Sequence, residues 1–366
     1  MCWKKIYKSE HWGYILGICI IFCFIPDNCF AKNDYDKGME YYEQGQYTEA
    51  VKYFKKGADF RNQPDEIFYA DRILRSSYYL GICYCYGRGV KQDHKEARKW
   101  FMKAAYSEGT SPIKKYKEES MCRIGLYYVW GVGVKKDYKQ AAKWFSMAAK
   151  ENSSYGPALY RTGWCYYYGR GVKKDYNQAA KRLQESLDYP YVNYTKRENF
   201  PDEDFIYEAH FLLGECFYHG RGVGKNYSKA VEHYKNSSSL LSGIHYDAYC
   251  ALGRCYEKGH GVEKNEEEAL RYFDKAAKAE NATAQCWFGD QYRKGIITSK
   301  NEVEAVKWYR KAAKQNNIHG LKWLAWHYRY GRGVKKDPVK AKELEEKAKQ
   351  LLKEQGEDQR FDAVQL

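Results

Sequence analysis

The chain has 366 residues, 44% of them apolar, enough for the cores of two or three ordinary domains. Its net charge of +15 fits either an acidic partner (an anionic glycan, a membrane surface or an acidic protein) or a solvated lysine-rich surface. Seven prolines and 38 tyrosines, set among many Ala and Lys, argue for helices packed through amphipathic rings and against a sheet of Val and Ile.

Residues 1–31 read as an export signal: Lys4, Lys5 and Lys8, an apolar run from Tyr14 to Ile25, then Pro26 and small residues around Ala31. The run is about half of the ~20 residues that span a bilayer, and no later segment is long and apolar enough to cross one. An uncleaved anchor is the competing reading. Removing the segment takes away three lysines with Glu10 and Asp27, which lowers the charge by one, to +14. The expected location is periplasmic or secreted, with possible cell-envelope association, and export argues against a nucleic-acid partner. In a eukaryotic host the ER lumen is the alternative. Sequons occur at Asn152, Asn193, Asn226, Asn236 and Asn281, but the C-terminus is no retrieval signal.

After the signal, residues 34–60 carry Gly38, Tyr41, Gly45, Tyr47, Ala50 and Phe54 at the spacing of one helical hairpin with a short turn. A longer unit then recurs. The copies share an anchor glycine, an aromatic residue three positions on, a Gly-x-Gly-Val turn (Gly295-Ile-Ile297 in the sixth copy), an Asp or Asn, and then Ala, followed in the first, second, fifth and sixth copies by paired aromatics. The anchors are Gly81, Gly125, Gly163, Gly214, Gly253 and Gly289, with Ala325 in the seventh copy. Their spacings are 44, 38, 51, 39, 36 and 36 residues, so the unit is about 36 residues. The predicted repeats are 77–105, 120–149, 157–186, 208–237, 247–277, 282–313 and 319–349, followed by a tail over 350–366. Ser107–Glu119 and Tyr189–Asp204 read as inserted loops. The turn glycines serve positive φ. Asp93, Asp137, Asp175 and Asn265 are N-caps, each with Glu or Gln three residues later, as in a capping box. Pro338 suits a first helical turn.

These residues resemble the Sel1-like repeat family, relatives of the tetratricopeptide repeat. The match covers Ser77 to about Lys349. The first hairpin looks like a tetratricopeptide-type unit. The resemblance implies an all-α, α/α superhelical solenoid with first helices lining a concave face, used as an adaptor for a protein or peptide. Secreted cysteine-rich members carry a disulfide ladder from the end of one second helix to the next first helix. This chain lacks cysteine at that second-helix position, so the ladder does not transfer.

Eight cysteines follow residue 31. Relative to the anchors, Cys83, Cys165, Cys216 and Cys255 sit at plus two. Cys122, Cys250 and Cys286 sit at minus three, and Cys85 at plus four. Minus three and plus two lie about 140° apart on a helix. One would face the preceding repeat and the other the following one, which suggests staples Cys83–Cys122, Cys216–Cys250 and Cys255–Cys286. Buried free thiols are the competing reading. Cys85 and Cys165 are left without partners.

Positions minus two, plus one and plus five should line the concave face. They vary between copies and concentrate Trp, Tyr and Arg, the types that dominate interfaces. One expected patch is Arg123, Trp130, Arg161, Trp164 and Tyr168. The other is Trp287, Trp323, Trp326 and Tyr330, with Arg254 between them in the series. Aromatics shared between repeats would account for some of these.

No catalytic residue, metal site or cofactor is predicted. The only Ser-x-x-Lys of the mature chain, Ser111–Lys114, lacks the motifs that accompany a β-lactamase-type serine. A weak envelope-associated hydrolase or binder of peptidoglycan fragments or β-lactams, as described for some family members, is the alternative to a scaffold. His219 and His260, at the turns, read as surface residues.

Overall fold

The computed structural model describes residues 33–59, 66–108, 114–188, 205–238, 246–296 and 299–358. Sixteen helices and no strand occur among the described residues, so the fold is the expected all-α array of helical hairpins. The export signal, Ser111, Asn193, the segment 189–204 and the last eight residues lie outside the described residues. The chain divides into two compact units, 1–116 and 117–366.

In the first unit, α1 (Asp34–Glu43) and α2 (Tyr47–Gly57) form the short hairpin, and α3 (Glu66–Tyr86) pairs with α4 (His94–Tyr106). Phe54 of α2 stacks on Tyr79 of α3 at 5.4 Å between ring centres. α3 starts well before Ser77, where the first long repeat was expected.

The second unit takes up α5 (Lys114–Trp130) from residue 117. The expected loop Ser107–Glu119 is therefore helical from Lys114, and Glu118 and Glu119 are buried in that helix. α6 (Tyr138–Glu151) follows, and then the pairs α7 (Gly156–Tyr168) with α8 (Tyr176–Asp188), α9 (Phe205–His219) with α10 (Tyr227–Ser237), and α11 (Tyr246–Lys258) with α12 (Glu266–Lys278). α13 (Ala282–Lys294) pairs with α14 (Glu302–Lys314), and α15 (Ile318–Tyr330) with α16 (Pro338–Asp358), which runs on into the segment read as a tail.

One contact explains the anchor. A Cβ on Gly253 would lie 2.9 Å from the Phe273 ring of the paired helix. Phe101, Phe145, Tyr234 and Tyr309 stand in the same register over Gly81, Gly125, Gly214 and Gly289. In the seventh copy that register holds Glu345 instead of a ring, and the anchor is Ala325. The second turn glycine acts between repeats. Gly171 has φ of 75°, and a Cβ there would overlap the Tyr138 carbonyl at the start of α6.

The caps form as expected, with one difference. Asp93 Oδ1 accepts from the Lys95 and Glu96 amides at 2.9 and 3.0 Å. Asn265 and Asn301 accept likewise from Glu268 and Glu304. The reciprocal half of the capping box is replaced. The Asp93 amide donates at 3.0 Å to the Tyr84 carbonyl of the preceding helix, and Asn265 does the same to Tyr256. The glutamates are thereby released to pair with cations one turn on, as Glu96 does with Lys99 and Glu268 with Arg271.

The eight cysteines after residue 31 form no disulfide among the described residues. The three staples expected between Cys83 and Cys122, Cys216 and Cys250, and Cys255 and Cys286 are not formed. In the second unit the reason is direction. Cys216 and Cys255, at plus two, pack backward: Cys216 against Leu183 of α8, and Cys255 with Val231 and Tyr234 of α10. Cys250, at minus three, packs forward with Phe273 and Ala284. Cys216 and Cys250 thus turn away from each other. Burial pushes Cys83, Cys165, Cys216, Cys250, Cys255 and Cys286 up to about 12, so none is a ready thiolate.

Candidate partner-binding face

Exposure along the three predicted series rises toward the C-terminal ends of the first helices. At minus two, Arg123, Leu212 and Ala251 are buried, while Arg161, Trp287 and Trp323 are half-buried. At plus five, Trp130 is 59% exposed and Tyr330 58%, and Lys258 and Lys294 are also exposed. The open surface therefore lies beside the Gly-x-Gly turns. Toward the other end, neighbouring repeats cover the same face.

The structure divides the first expected patch. Arg123 leaves it, because its guanidinium is buried and lies 3.7 Å from Glu119 one turn earlier. Trp130, Arg161 and Trp164 come together in a cleft of about 530 Å³. Tyr168 packs edge-on against Trp164 at 5.6 Å. The sequence reading missed Lys136, Tyr138, Arg170 and Glu208, which complete the cleft wall. Arg170 lies over Trp164 at 4.5 Å, Tyr138 at 5.0 Å and Tyr168 at 5.4 Å, a cation held across three rings. It occupies the variable position of the turn. The signal for it was the recurrence of arginine there, since Arg88 and Arg221 also lie over the tyrosine that opens a second helix. His260 takes that place in its own copy, stacked on Tyr227 at 4.2 Å. It is thus a packed residue rather than a surface one.

In the second patch, Trp287 stacks on Phe273 at 4.1 Å and donates its Nε1 hydrogen to Glu257 at 2.9 Å. Trp323 stacks on Tyr309 and has Arg293 over its ring at 4.0 Å. Both tryptophans join repeats. Trp326 and Tyr330 remain open, 36% and 58% exposed, with rings 5.2 Å apart.

Arg254 belongs to a buried polar network rather than a free surface. Its guanidinium lies 3.6 Å from Glu215, which also accepts from Tyr234 at 2.7 Å and meets His219 at 3.4 Å. Burial alone would raise the Glu215 pKa. The His219 hydrogen bond, the Arg254 charge and the Tyr234 hydrogen bond outweigh it and hold the carboxyl below its ordinary value. His219, read as a surface residue, is half-buried in this network.

No group of three or more His, Cys, Asp or Glu residues able to hold a metal ion occurs among the described residues. No helix among them is long and apolar enough to cross a membrane. Of the Ser111–Lys114 match, only Lys114 is described, and it opens α5.

Paired antiparallel helices, glycine-gated contacts and turn-to-helix stacking define a tandem-hairpin repeat protein of the tetratricopeptide-like class. More particularly, the chain belongs to the Sel1 repeat family. That family's model matches nine segments: 29–45 and 35–59, which overlap on the first hairpin, and 74–108, 118–153, 156–181, 208–240, 247–281, 282–317 and 319–351. A comparison with curated proteins finds no match. Among solved structures, a protective antigen of uropathogenic Escherichia coli with an SLR fold is 26% identical with a TM-score of 0.56, over 87% of this chain and 61% of that one. This chain thus spans less than two thirds of that relative. A Sel1 repeat protein from Oxalobacter formigenes is 24% identical with a TM-score of 0.55, over 88% of this chain and 90% of that one. Repeats of this kind generally mediate protein–protein contacts and are generally not enzymes.

Proposed function

We propose that this chain is an exported scaffold that binds a protein or peptide along the C-terminal ends of its first helices. The cleft of Trp130, Arg161 and Trp164 is its principal contact, and Trp326 with Tyr330 forms a second. The observation that carries the reading is Trp130: a tryptophan 59% exposed at the rim of a cleft already lined by half-buried aromatic and basic side chains. Large exposed rings that do no packing work are what an interface uses as anchors. The basic side chains Lys136, Arg161 and Arg170 suit a partner with acidic groups at that point. Export to a periplasmic or extracellular location is supported by the basic and apolar pattern of residues 1–31.

The test is affinity capture from the host's envelope and secreted fractions, comparing the protein with a Trp130→Ala/Arg161→Ala variant of equal melting temperature. One abundant partner should be recovered by the first and lost by the second. Equal recovery by both would refute this face.

A further inference from the structure

We propose that the small cavity between α7, α9 and α11 is a subsite for a cationic side chain, arginine above all, of a bound peptide. The inference rests on the peptide-binding reading and deepens it by naming the chemistry recognised.

The cavity holds about 200 Å³. A water's share of liquid volume is ~30 Å³, and drug-sized sites run from about 300 Å³. The space therefore suits one side-chain head rather than a larger ligand. It is lined by Tyr160, Trp164, Tyr168 and Phe211, by Leu212 and Ala248, and by the acidic residues Glu208 and Asp247. No lysine or arginine lines it, whereas the adjoining larger cleft holds Lys136, Arg161 and Arg170. Trp164 and Glu208 line both.

Three polar groups there have capacity to spare. Glu208 is half-buried and makes no hydrogen bond or ion pair with any described residue. Burial alone acts on its carboxyl and raises its pKa, as expected where no cation offsets the loss of water. The Tyr160 hydroxyl belongs to a side chain at 0% exposure and has no hydrogen-bond partner among the described residues. Asp247 accepts one hydrogen bond at 2.7 Å, from Asn281 Nδ2, to its Oδ1. A buried polar group without a partner is costly, and a half-buried carboxylate more so. A guanidinium supplies five N–H donors in a plane and stacks on aromatic faces, so one group would answer the carboxylates and the rings together. An ammonium has the charge and the cation–π attraction without the fork. A peptide crossing from the larger cleft would thus meet cations first and carboxylates next, which asks for a partner carrying both signs.

The test uses the protein labelled with 5-fluorotryptophan, the Trp164 resonance being the one absent from Trp164→Phe. Nα-acetyl-arginine amide, Nα-acetyl-lysine amide and Nα-acetyl-citrulline amide, the neutral isostere of arginine, are titrated in turn. Arginine should shift the Trp164 signal saturably, lysine more weakly and citrulline hardly at all. Glu208→Gln should weaken the arginine response at least tenfold. No saturable shift, equal response to citrulline, or indifference to Glu208→Gln would overturn the subsite. If Trp164→Phe does not fold, calorimetric heats for arginine and citrulline on the protein and on Glu208→Gln give the same decision. A protein that takes the arginine probe but captures no partner refutes the scaffold reading alone. One that captures a partner yet ignores the probe refutes the subsite alone.

Discussion

Cys250 Sγ donates a hydrogen bond to Asn281 Oδ1 at 3.1 Å, and one repeat later Cys286 Sγ does the same to Asn317 at 3.2 Å. Each asparagine is the N-cap of the next first helix. Asn281 also accepts from the Thr283 and Ala284 amides, both at 3.0 Å. The thiol thus steadies the cap of the following repeat, and this is the physical alternative to a disulfide.

The first prediction concerns those sulfurs. In denaturant without reductant, the eight cysteines after residue 31 should all react with maleimide, and a non-reducing peptide map should show no Cys216–Cys250 or Cys255–Cys286 link. Cys250→Ala should cost about 1 kcal/mol through the lost donor, and Cys250→Ser less. A recovered Cys216–Cys250 peptide would overturn the backward–forward arrangement of these side chains.

Gly253→Ala tests the anchor contact. The new methyl would press on the Phe273 ring, whose neighbours leave it little room, and overpacking of this kind costs about 1–3 kcal/mol. Pairing it with Phe273→Leu should recover part of the loss in thermal unfolding. Ala325→Gly, by contrast, should change stability by under about 1 kcal/mol, because no ring stands over it. Equal losses at the two sites would mean that the ring is not what demands glycine.

The hairpins were legible in the sequence because their determinants are local: Gly253 and Phe273 lie in one unit, and Asp93 caps a helix that begins at the next residue. Direction between repeats was not. A helical wheel gives the angle between Cys250 and Cys255 but not which neighbour each one faces. Exposure failed for the same reason. Arg123 and Trp130 share a helical face, but Arg123 is covered by surrounding helices and Trp130 is not. Arg170 lies in a turn, and Glu208 six residues before its anchor Gly214, so neither falls at minus two, plus one or plus five.

His210 and His233 bring their Nδ1 atoms to 2.9 Å, so one ring donates to the other. Burial lowers both pKa values, His210 to about 4. The His233 charge adds to the effect on His210 and Glu232 opposes it. The unfolded value is about 6.5, so on acidification the unfolded chain binds protons first. Stability from this pair is full above that pH and is lost progressively as pH falls toward about 4. Urea midpoints at pH 7 and 4.5 should therefore fall further for the protein than for His210→Phe. Parallel falls would place the pH dependence elsewhere.

The last prediction separates the tryptophans that hold repeats together from those left for a partner. Trp287 bridges two repeats through the Phe273 ring and the Glu257 carboxylate, so Trp287→Ala should cost about 3 kcal/mol, the lower end for truncating a packed tryptophan, since this ring is half-buried. In a repeat array stability is close to a sum of repeat and interface terms, so the loss should appear as early melting of the flanking hairpins rather than a uniform shift. Trp130→Ala removes a ring that is 59% exposed and should stay within about 0.5 kcal/mol. Hydrogen exchange of α12 and α13 in the two variants reads the difference directly: faster in Trp287→Ala, unchanged in Trp130→Ala. If Trp130→Ala loosened its own hairpin as much, the ring would be structural, and the open face would lose its principal anchor.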